Sequence, residues 1–375
     1  MPPVVPLRTI ALQWLRIGVT GFGGPPAHIS LLRELCVTRR GWVSEVEFED
    51  GVAATNLLPG PASTQLAILL ARRLRGWPGG LLGGVCFIVP GLVVILGLSV
   101  LLLSGRPARP VLGAAAGAGA AVAAVAVQAG TSLVPASWRR AGAGRSGRYR
   151  WIGYLLAGGI AAVLIGPWLV LVLVGAGIVE AAVGGHRPRR LPALAVPLGS
   201  IGAVAWTALK VGALSYGGGF VIIPLMRADA VDRYHWLSGD QFLYAVALGQ
   251  VTPGPVVQTV AVVGYAAAGI GGGLLASVVA FAPSFVFVLG GARHFDRLRQ
   301  NKGVQAFLAG AGPAAIGAIL GSALLLGLSV PHLWQLPVLA GAALWLLALR
   351  RGVVSALLGA AALGVGAALA GLPVG

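Results

Sequence analysis

The chain has 375 residues, 57% of them hydrophobic and 10% charged, with a formal net charge of +17. A soluble protein carries roughly a quarter charged residues, and here apolar runs of about 20 residues, enough to cross a bilayer, recur from end to end. The composition leaves no stretch for a soluble domain of ordinary size, and the basic residues fall mostly in short connections between apolar runs. That placement fits positive-inside topology and anionic lipid, and argues against nucleic acid as a partner.

The apolar runs lie near 9–32, 51–71, 77–105, 110–134 and 151–183, then near 194–225, 241–267, 271–292, 304–330, 333–349 and 353–372. They predict an all-α polytopic membrane protein of ten spans, within a range of nine to thirteen. The first run is too long for a cleavable signal and is broken by glycines. Gly166-Pro167 divides the 151–183 run, which reads as one tilted span or two short ones. The segments 33–50 and 227–240 are amphipathic connectors that carry most of the acidic residues.

The chain repeats itself. At an offset of 194, Arg16 matches Lys210, Gly18 matches Gly212, Phe22-Gly23-Gly24 matches Tyr216-Gly217-Gly218, Trp42 matches Trp236, and Pro59-Gly60-Pro61 matches Pro253-Gly254-Pro255. After one deletion Pro90 matches Pro283. Two homologous repeats, 1–190 and 191–375, follow. Basic residues in matching loops are biased oppositely: Arg72, Arg73 and Arg75 have uncharged counterparts, whereas Arg293, Arg297, Arg299 and Lys302 outnumber Arg106 and Arg109. Loop charge sets orientation, so the halves are expected to insert with inverted topology. This leaves Arg187-Pro188-Arg189-Arg190 on the outer side.

Three constellations carry the chemistry. Arg16 and Lys210 each interrupt an apolar run; one alone reads as a snorkelling side chain, but two at equivalent positions point to a cavity. Consecutive glycines follow each of them. In a suitable conformation such glycines turn successive N–H groups into one hollow, an anion nest. Third come the two Pro-Gly-Pro sequences, through which no helix passes intact. Matched breaks in two halves mark a transporter's binding site, and the half-helix after each break offers free N–H groups to an anion. Asn56 and Gln250 precede the breaks; Ser63, Thr64 and Gln65, and Gln258 and Thr259, follow them with further donors.

No acidic residue falls at the middle of an expected span; Glu180 comes nearest, and Glu47 and Asp50, at the mouth of the second run, read as solvated surface charges, with proton sensing as the alternative. No nucleophile with a positioned base, metal-ligand spacing or nucleotide loop is evident, and Cys36 and Cys86 form no framework. Neither enzyme activity nor a metal or other cofactor is expected.

At these residues the chain resembles the chromate ion transporter family in its long two-domain form. The resemblance rests on Phe22-Gly23-Gly24-Pro25 before Ala27-His28, on Trp42-Val43 and Trp236-Leu237, on Tyr216-Gly217-Gly218-Gly219, and on Asn56 and Gln250 ahead of the two Pro-Gly-Pro motifs. Gly21 and Asn56 depart from the family's usual Ser and Gln, and Pro26 adds a second proline. The resemblance implies chromate efflux across the inner membrane and chromate resistance, with sulfate, a similar tetrahedral dianion, as competitor or alternative cargo. The substrate-binding residues it supports are Arg16, Phe22, Gly23, Gly24, Asn56, Pro59, Gly60, Pro61, Ser63, Thr64, Lys210, Tyr216, Gly217, Gly218, Gln250, Pro253, Gly254, Pro255 and Gln258. A homodimer in the bilayer is compatible with it. Uptake of sulfate or another oxyanion is the alternative within the transporter class, and a non-transporting membrane scaffold is the competing reading from another class.

Overall fold

The computed structural model describes residues 5–55, 58, 60–103, 107–141, 144–165, 169–185, 200–215, 222–291 and 301–374, and every regular element among them is helical. In half one, α1 (Leu7–Thr20) and α2 (Pro25–Arg33, continued by a wider turn at Glu34–Arg39) flank the glycines. Then come α3 (Glu45–Thr55), α4 (Ala62–Leu103), α5 (Arg109–Arg140), α6 (Arg145–Leu164) and α7 (Leu169–Val183). Half two repeats the order: α8 (Ser200–Leu214), α9 (Ile222–Arg227, continued by Ala228–Arg233), α10 (Gly239–Val251), α11 (Thr259–Phe285, led by Val256–Gln258 and continued by Val286–Gly290), α12 (Lys302–Leu328), α13 (Gln335–Ala343) and α14 (Val353–Leu369). The 151–183 run is thus two helices, tied by Arg150, whose guanidinium meets both carboxylate oxygens of Glu180 at 2.8 and 3.0 Å.

α4 and α11 are each bent back on themselves at the same place. Arg75 and Gly76 (φ −147° and 64°) and Ala268 and Gly269 (φ −154° and 62°) leave helical geometry, and a φ near +60° is open to glycine without the Cβ penalty. The chain reverses there: a Cβ built on Gly83 would lie 2.5 Å from Ala71 Cβ, and one on Gly264 would lie 2.4 Å from the Gly272 carbonyl oxygen. Each element is therefore a short arm (62–74 or 256–267) followed by a long helix (77–103 or 270–290).

The arms are the return limbs of re-entrant pairs. α3 enters from a surface where Ser44 and Glu47 close a capping box, Ser44 donating N–H and hydroxyl to Glu47 Oε2 at 3.0 and 2.8 Å. Those bonds, the backbone one foremost, hold the Glu47 carboxyl below the usual carboxylate range. At the end of the arm Arg73 donates to Glu47 O at 2.7 Å, so α3 and the arm begin and end together with Pro-Gly-Pro at their tip. Ser238 and Gln241 cap α10 in the same way. The runs 9–32 and 51–71, expected as spans, are instead divided at their middles. α1, with 14 residues, reaches about 21 Å, short of the roughly 30 Å hydrocarbon core. Four helices among the described residues, 62–103, 109–140, 256–290 and 302–328, are long and apolar enough to cross a membrane, and four shorter apolar helices accompany them. The breaks at Gly21–Gly24 and at the Pro-Gly-Pro tips thus divide apolar sequence that reads as whole spans in the linear chain.

The long helices of the two halves run antiparallel against each other. Gly80 packs on Leu289, Gly84 on Phe285 and Gly273 on Leu96, each with a built Cβ 2.5 or 2.6 Å from the partner side chain. Gly80 and Gly273 are equivalent positions, as are Leu96 and Leu289, so a pseudo-two-fold axis relates the halves. An axis that exchanges two antiparallel spanning helices lies in the membrane plane, the geometry of inverted repeats.

The peripheral helices also pack crosswise. α14 of half two lies on α5 of half one, and α6 and α7 of half one lie on α12 of half two. Small residues permit it: a Cβ on Gly117 would fall 2.1 Å from the Ala360 carbonyl oxygen, and one on Gly317 would fall 1.8 Å from that of Leu155. Backbone cannot yield to such an overlap as a flexible side chain would. Gly317→Leu and Gly117→Leu should each lower the melting temperature in detergent markedly, at a cost of about 3 kcal/mol or more. Gly175→Leu, at a position with nothing within 4 Å among the described residues, should leave it unchanged; equal melting of all three would refute the packing.

Candidate functional site

The two Pro-Gly-Pro tips meet the glycine clusters of the opposite half. Gly60 N–H donates to the Ser215 carbonyl at 2.9 Å, and Gly254 N–H donates to the Gly21 carbonyl at 2.9 Å. Gly60 is equivalent to Gly254, and Gly21 to Ser215, so one bond is the symmetry image of the other. Gly60 and Gly254 hold φ of 125° and 93°, where the proline-flanked turn needs a residue without Cβ. Position 60 also has no room for one: a Cβ there would lie 2.4 Å from Gln65 Nε2 and 3.0 Å from Ser284 Oγ.

After each tip a half-helix begins. Its first backbone bond in half one is Gln65 N–H to Pro61 O at 3.0 Å, so the N–H groups of Ala62, Ser63 and Thr64 have no intrahelical acceptor. Side chains of the same character gather around both tips. Thr64 Oγ1, Ser215 Oγ, Ser284 Oγ, Gln250 Nε2 and Gln258 Oε1 are buried with no hydrogen-bond partner among the described residues. Each such atom costs about 1–3 kcal/mol in a dry interior, and a cluster of them marks a place for a polar guest. Four of the five are donors, which suits an oxyanion. Gln258 is turned differently from expectation: its Nε2 donates to the Ile88 carbonyl of the opposite half, and its Oε1 lies 3.6 Å from a Cβ built on Gly254.

The cationic pair does not share this hollow. Arg16 is exposed on the outer face of α1, with Leu12, Leu15 and Val19 exposed beside it. Lys210 is nearly buried and is ion-paired with Asp229, a carboxylate that is fully buried and also accepts from Thr207 Oγ1 at 2.8 Å. An acidic residue therefore does sit inside the protein, on the continuation of α9, in the segment 227–240 that had read as an amphipathic connector. Phe22 and Gly23 are exposed, whereas Gly24 is buried, its built Cβ 3.4 Å from Val256 of the opposite break. The nest expected at the first glycines is partly spent, because Gly21 N–H goes to Ile17 O and Phe22 N–H to Thr20 O. Pro61, Pro253 and Pro255 are buried at the tips. Asn56, Pro59, Tyr216, Gly217 and Gly218 lie outside the described residues.

His28 was not among the expected binding residues. It is fully buried, with Nε2 2.9 Å from the Gly21 carbonyl and Nδ1 3.2 Å from Ser63 Oγ. A carbonyl can only accept, so Nε2 carries the hydrogen and Nδ1 accepts from the Ser63 hydroxyl when the ring is neutral. Ser63 is thereby turned toward the histidine, and the Gly21 carbonyl joins this chain to Gly254 of the opposite tip. Half two has Ile222 at the equivalent position. The Ala27-His28 pair beside the glycines was the available signal.

A family model described as Chromate transporter matches residues 8–181 and 202–366. The chain is 30% identical over 343 residues to the chromate transport protein of Cupriavidus metallidurans, covering 86% of this chain and 83% of that one. It is 32% identical over 339 residues to the chromate transport protein of Pseudomonas aeruginosa, covering 85% and 80%. An uncharacterized transporter of Methanocaldococcus jannaschii is 25% identical over 78% of this chain and 77% of its own. No solved structure matches.

Unpaired buried hydroxyls kept for a guest can be removed without loss of stability, because an apolar replacement relieves an unsatisfied group. Thr64→Val and Ser284→Ala should hold or raise the melting temperature of the purified protein while weakening its stabilisation by added chromate. A fall in melting temperature with undiminished chromate stabilisation would assign these hydroxyls to structure alone.

Proposed function

The chain belongs to the chromate transporter family, and from that premise we propose that it exports chromate from the cytoplasm across the inner membrane and so confers chromate resistance. The observation that carries the reading is the pair of broken tips, bonded crosswise between inverted halves and surrounded by buried donors. Such a constellation at the interface of two repeats is where a rocking transporter holds its cargo. The half-helix N-termini and the hydroxyls of Thr64, Ser215 and Ser284 supply hydrogen bonds to a tetrahedral dianion. The outward turn of Arg16 and the pairing of Lys210 shift the weight of anion binding onto these neutral donors, with the two cations contributing at longer range.

The membrane potential favours the direction proposed. One unit charge moving through 100 mV is worth about 2.3 kcal/mol, so a dianion leaving an interior-negative cell gains roughly 4–5 kcal/mol per 100 mV. The donor set also supports a second reading, sulfate transport. Backbone N–H groups, hydroxyls and amides distinguish poorly between two tetrahedral dianions of similar size, so sulfate is proposed as competitor or alternative cargo.

Cells expressing the protein should accumulate less chromate and grow at higher chromate than cells without it. Replacing either Pro-Gly-Pro by Ala-Ala-Ala should abolish the difference, and Arg16→Ala and Lys210→Ala should reduce the efflux rate about tenfold or less, on the scale of 1.4 kcal/mol or below. Excess chromate in expressing cells would reverse the direction, and intact resistance after both tips are replaced would favour a scaffold.

A further inference from the structure

The two re-entrant pairs are equivalent in sequence and unequal in openness. Between α2 and α3 lies a groove of about 440 Å³, whose lining includes Pro26, Ile29, Ser30, Arg33, Glu49 and Ala53. Ser30, Glu49 and Ala53 are exposed there, whereas their equivalents on α9 and α10, Pro224, Leu243 and Ala247, are buried. Cover from elsewhere in the chain seals the second pair. A Cβ built on Gly119 of α5 would lie 3.3 Å from Leu243 Cβ, and Tyr244 of α10 donates to the Val374 carbonyl beyond α14 at 3.4 Å. α3 packs mainly on the arm behind it.

The groove runs along α2. Its outer end is Arg33, whose guanidinium is ion-paired with Glu45 and, at 2.8 Å, with Glu49, and lies 5.7 Å from the centre of the Phe48 ring. Its inner end is Pro26, two turns back and about 10 Å deeper along the helix. There α2 touches the half-helices that follow both tips. His28 meets Ser63 Oγ at 3.2 Å, and Gly24, two residues ahead of Pro26, packs against Val256. The groove therefore joins a charged rim to the place where the halves interlock.

We propose that this groove is the cytoplasmic entrance for the anion, with Arg33 as the first residue to bind it. The inference rests on the transport reading and deepens it. The groove opens on the surface where Arg73 meets Glu47, and Arg72, Arg73 and Arg75 mark that surface as cytoplasmic, the loading face of an exporter. A rim carrying Arg33, Glu45 and Glu49 suits water and not acyl chains. All three side chains are about half exposed, and ion pairs so placed add little net stability. An incoming dianion can therefore take the guanidinium from the two carboxylates, and the planar fork of donors matches two oxygens of a tetrahedral guest. The packed α9–α10 pair is then the exit, shut while the entrance stands open, and the two exchange states as the halves rock.

Two measurements test it on the full chain. In the first, Ala53→Cys and Ala247→Cys are exposed to a membrane-impermeant maleimide, and labelling is taken over that of the wild type, whose own thiols are buried Cys36 and half-buried Cys86. Ala53→Cys should label from the cytoplasmic face, in inside-out vesicles, and not from the outside; Ala247→Cys should label several-fold more slowly from either face. Labelling of Ala53→Cys in detergent but not in vesicles would show the groove filled by lipid or by a second copy, and labelling from outside would reverse its direction; either overturns the entrance. In the second, chromate flux is measured in proteoliposomes. Arg33→Gln should raise KM about tenfold with little change in kcat, and Arg33→Lys should recover most of the loss. Glu45→Gln with Glu49→Gln should lower KM, because Arg33 is released, and should give no such gain when Arg33→Gln is also present. An unchanged KM in Arg33→Gln, or the same gain with and without Arg33, would overturn its role as a binding residue. Absence of chromate flux in the wild type would instead overturn the transport reading, whatever the labelling pattern.

Discussion

A peptide group stripped of its helix has nowhere to turn inside hydrocarbon, and this constraint organises the molecule. Proline at both flanks of Gly60 and Gly254 frees backbone groups at membrane depth. The fold answers by giving the N–H of each tip to a carbonyl in the opposite half, Ser215 for Gly60 and Gly21 for Gly254. Every larger feature is consistent with that exchange. The arms return to the surface they left because Arg75–Gly76 and Ala268–Gly269 reverse the chain. The long helices run antiparallel because the two tips must face each other, and glycine at positions 80, 84 and 273 lets them approach.

The scaffold is symmetric, but its chemistry is not. His28 binds Ser63 in half one where half two has Ile222; Ser284 offers a hydroxyl where half one has Gly91; Lys210 has a buried counter-ion where Arg16 has none among the described residues. An inverted repeat supplies two interchangeable orientations. Unequal side chains make those orientations differ in affinity, without which no ligand can bias the equilibrium between them.

Much of this was legible in the sequence. The offset of 194 between the Pro-Gly-Pro motifs fixed the repeat, and the opposite loop charges indicated inversion, because both signals are carried by residues whose physics is local. The re-entrant arms were not legible. An apolar run of about 20 residues fits either a span or two half-length limbs, and what decides is the reversal at Gly76, one glycine among 59. Asp229 was hidden for a related reason: a stretch with alternating charges reads as solvated, and only the packing of Thr207 and Lys210 from α8 shows that this carboxylate faces inward. His28 was quoted in a motif, but its bond to Ser63 spans 35 positions, and periodicity says nothing about so distant a pairing.

The reciprocal bonding also bears on how the protein is held as one object. Neither repeat can complete its own tip, cover its own long helix or bury its own terminal helices, since each finds these partners across the axis. Covalent continuity between the repeats is thus incidental to the assembly. A chain severed between residues 185 and 200 would keep every interlock described above, whereas either fragment made alone would carry an open wound of unsatisfied backbone into the lipid. The unit that persists is the interlocked couple, whether one polypeptide or two supply it.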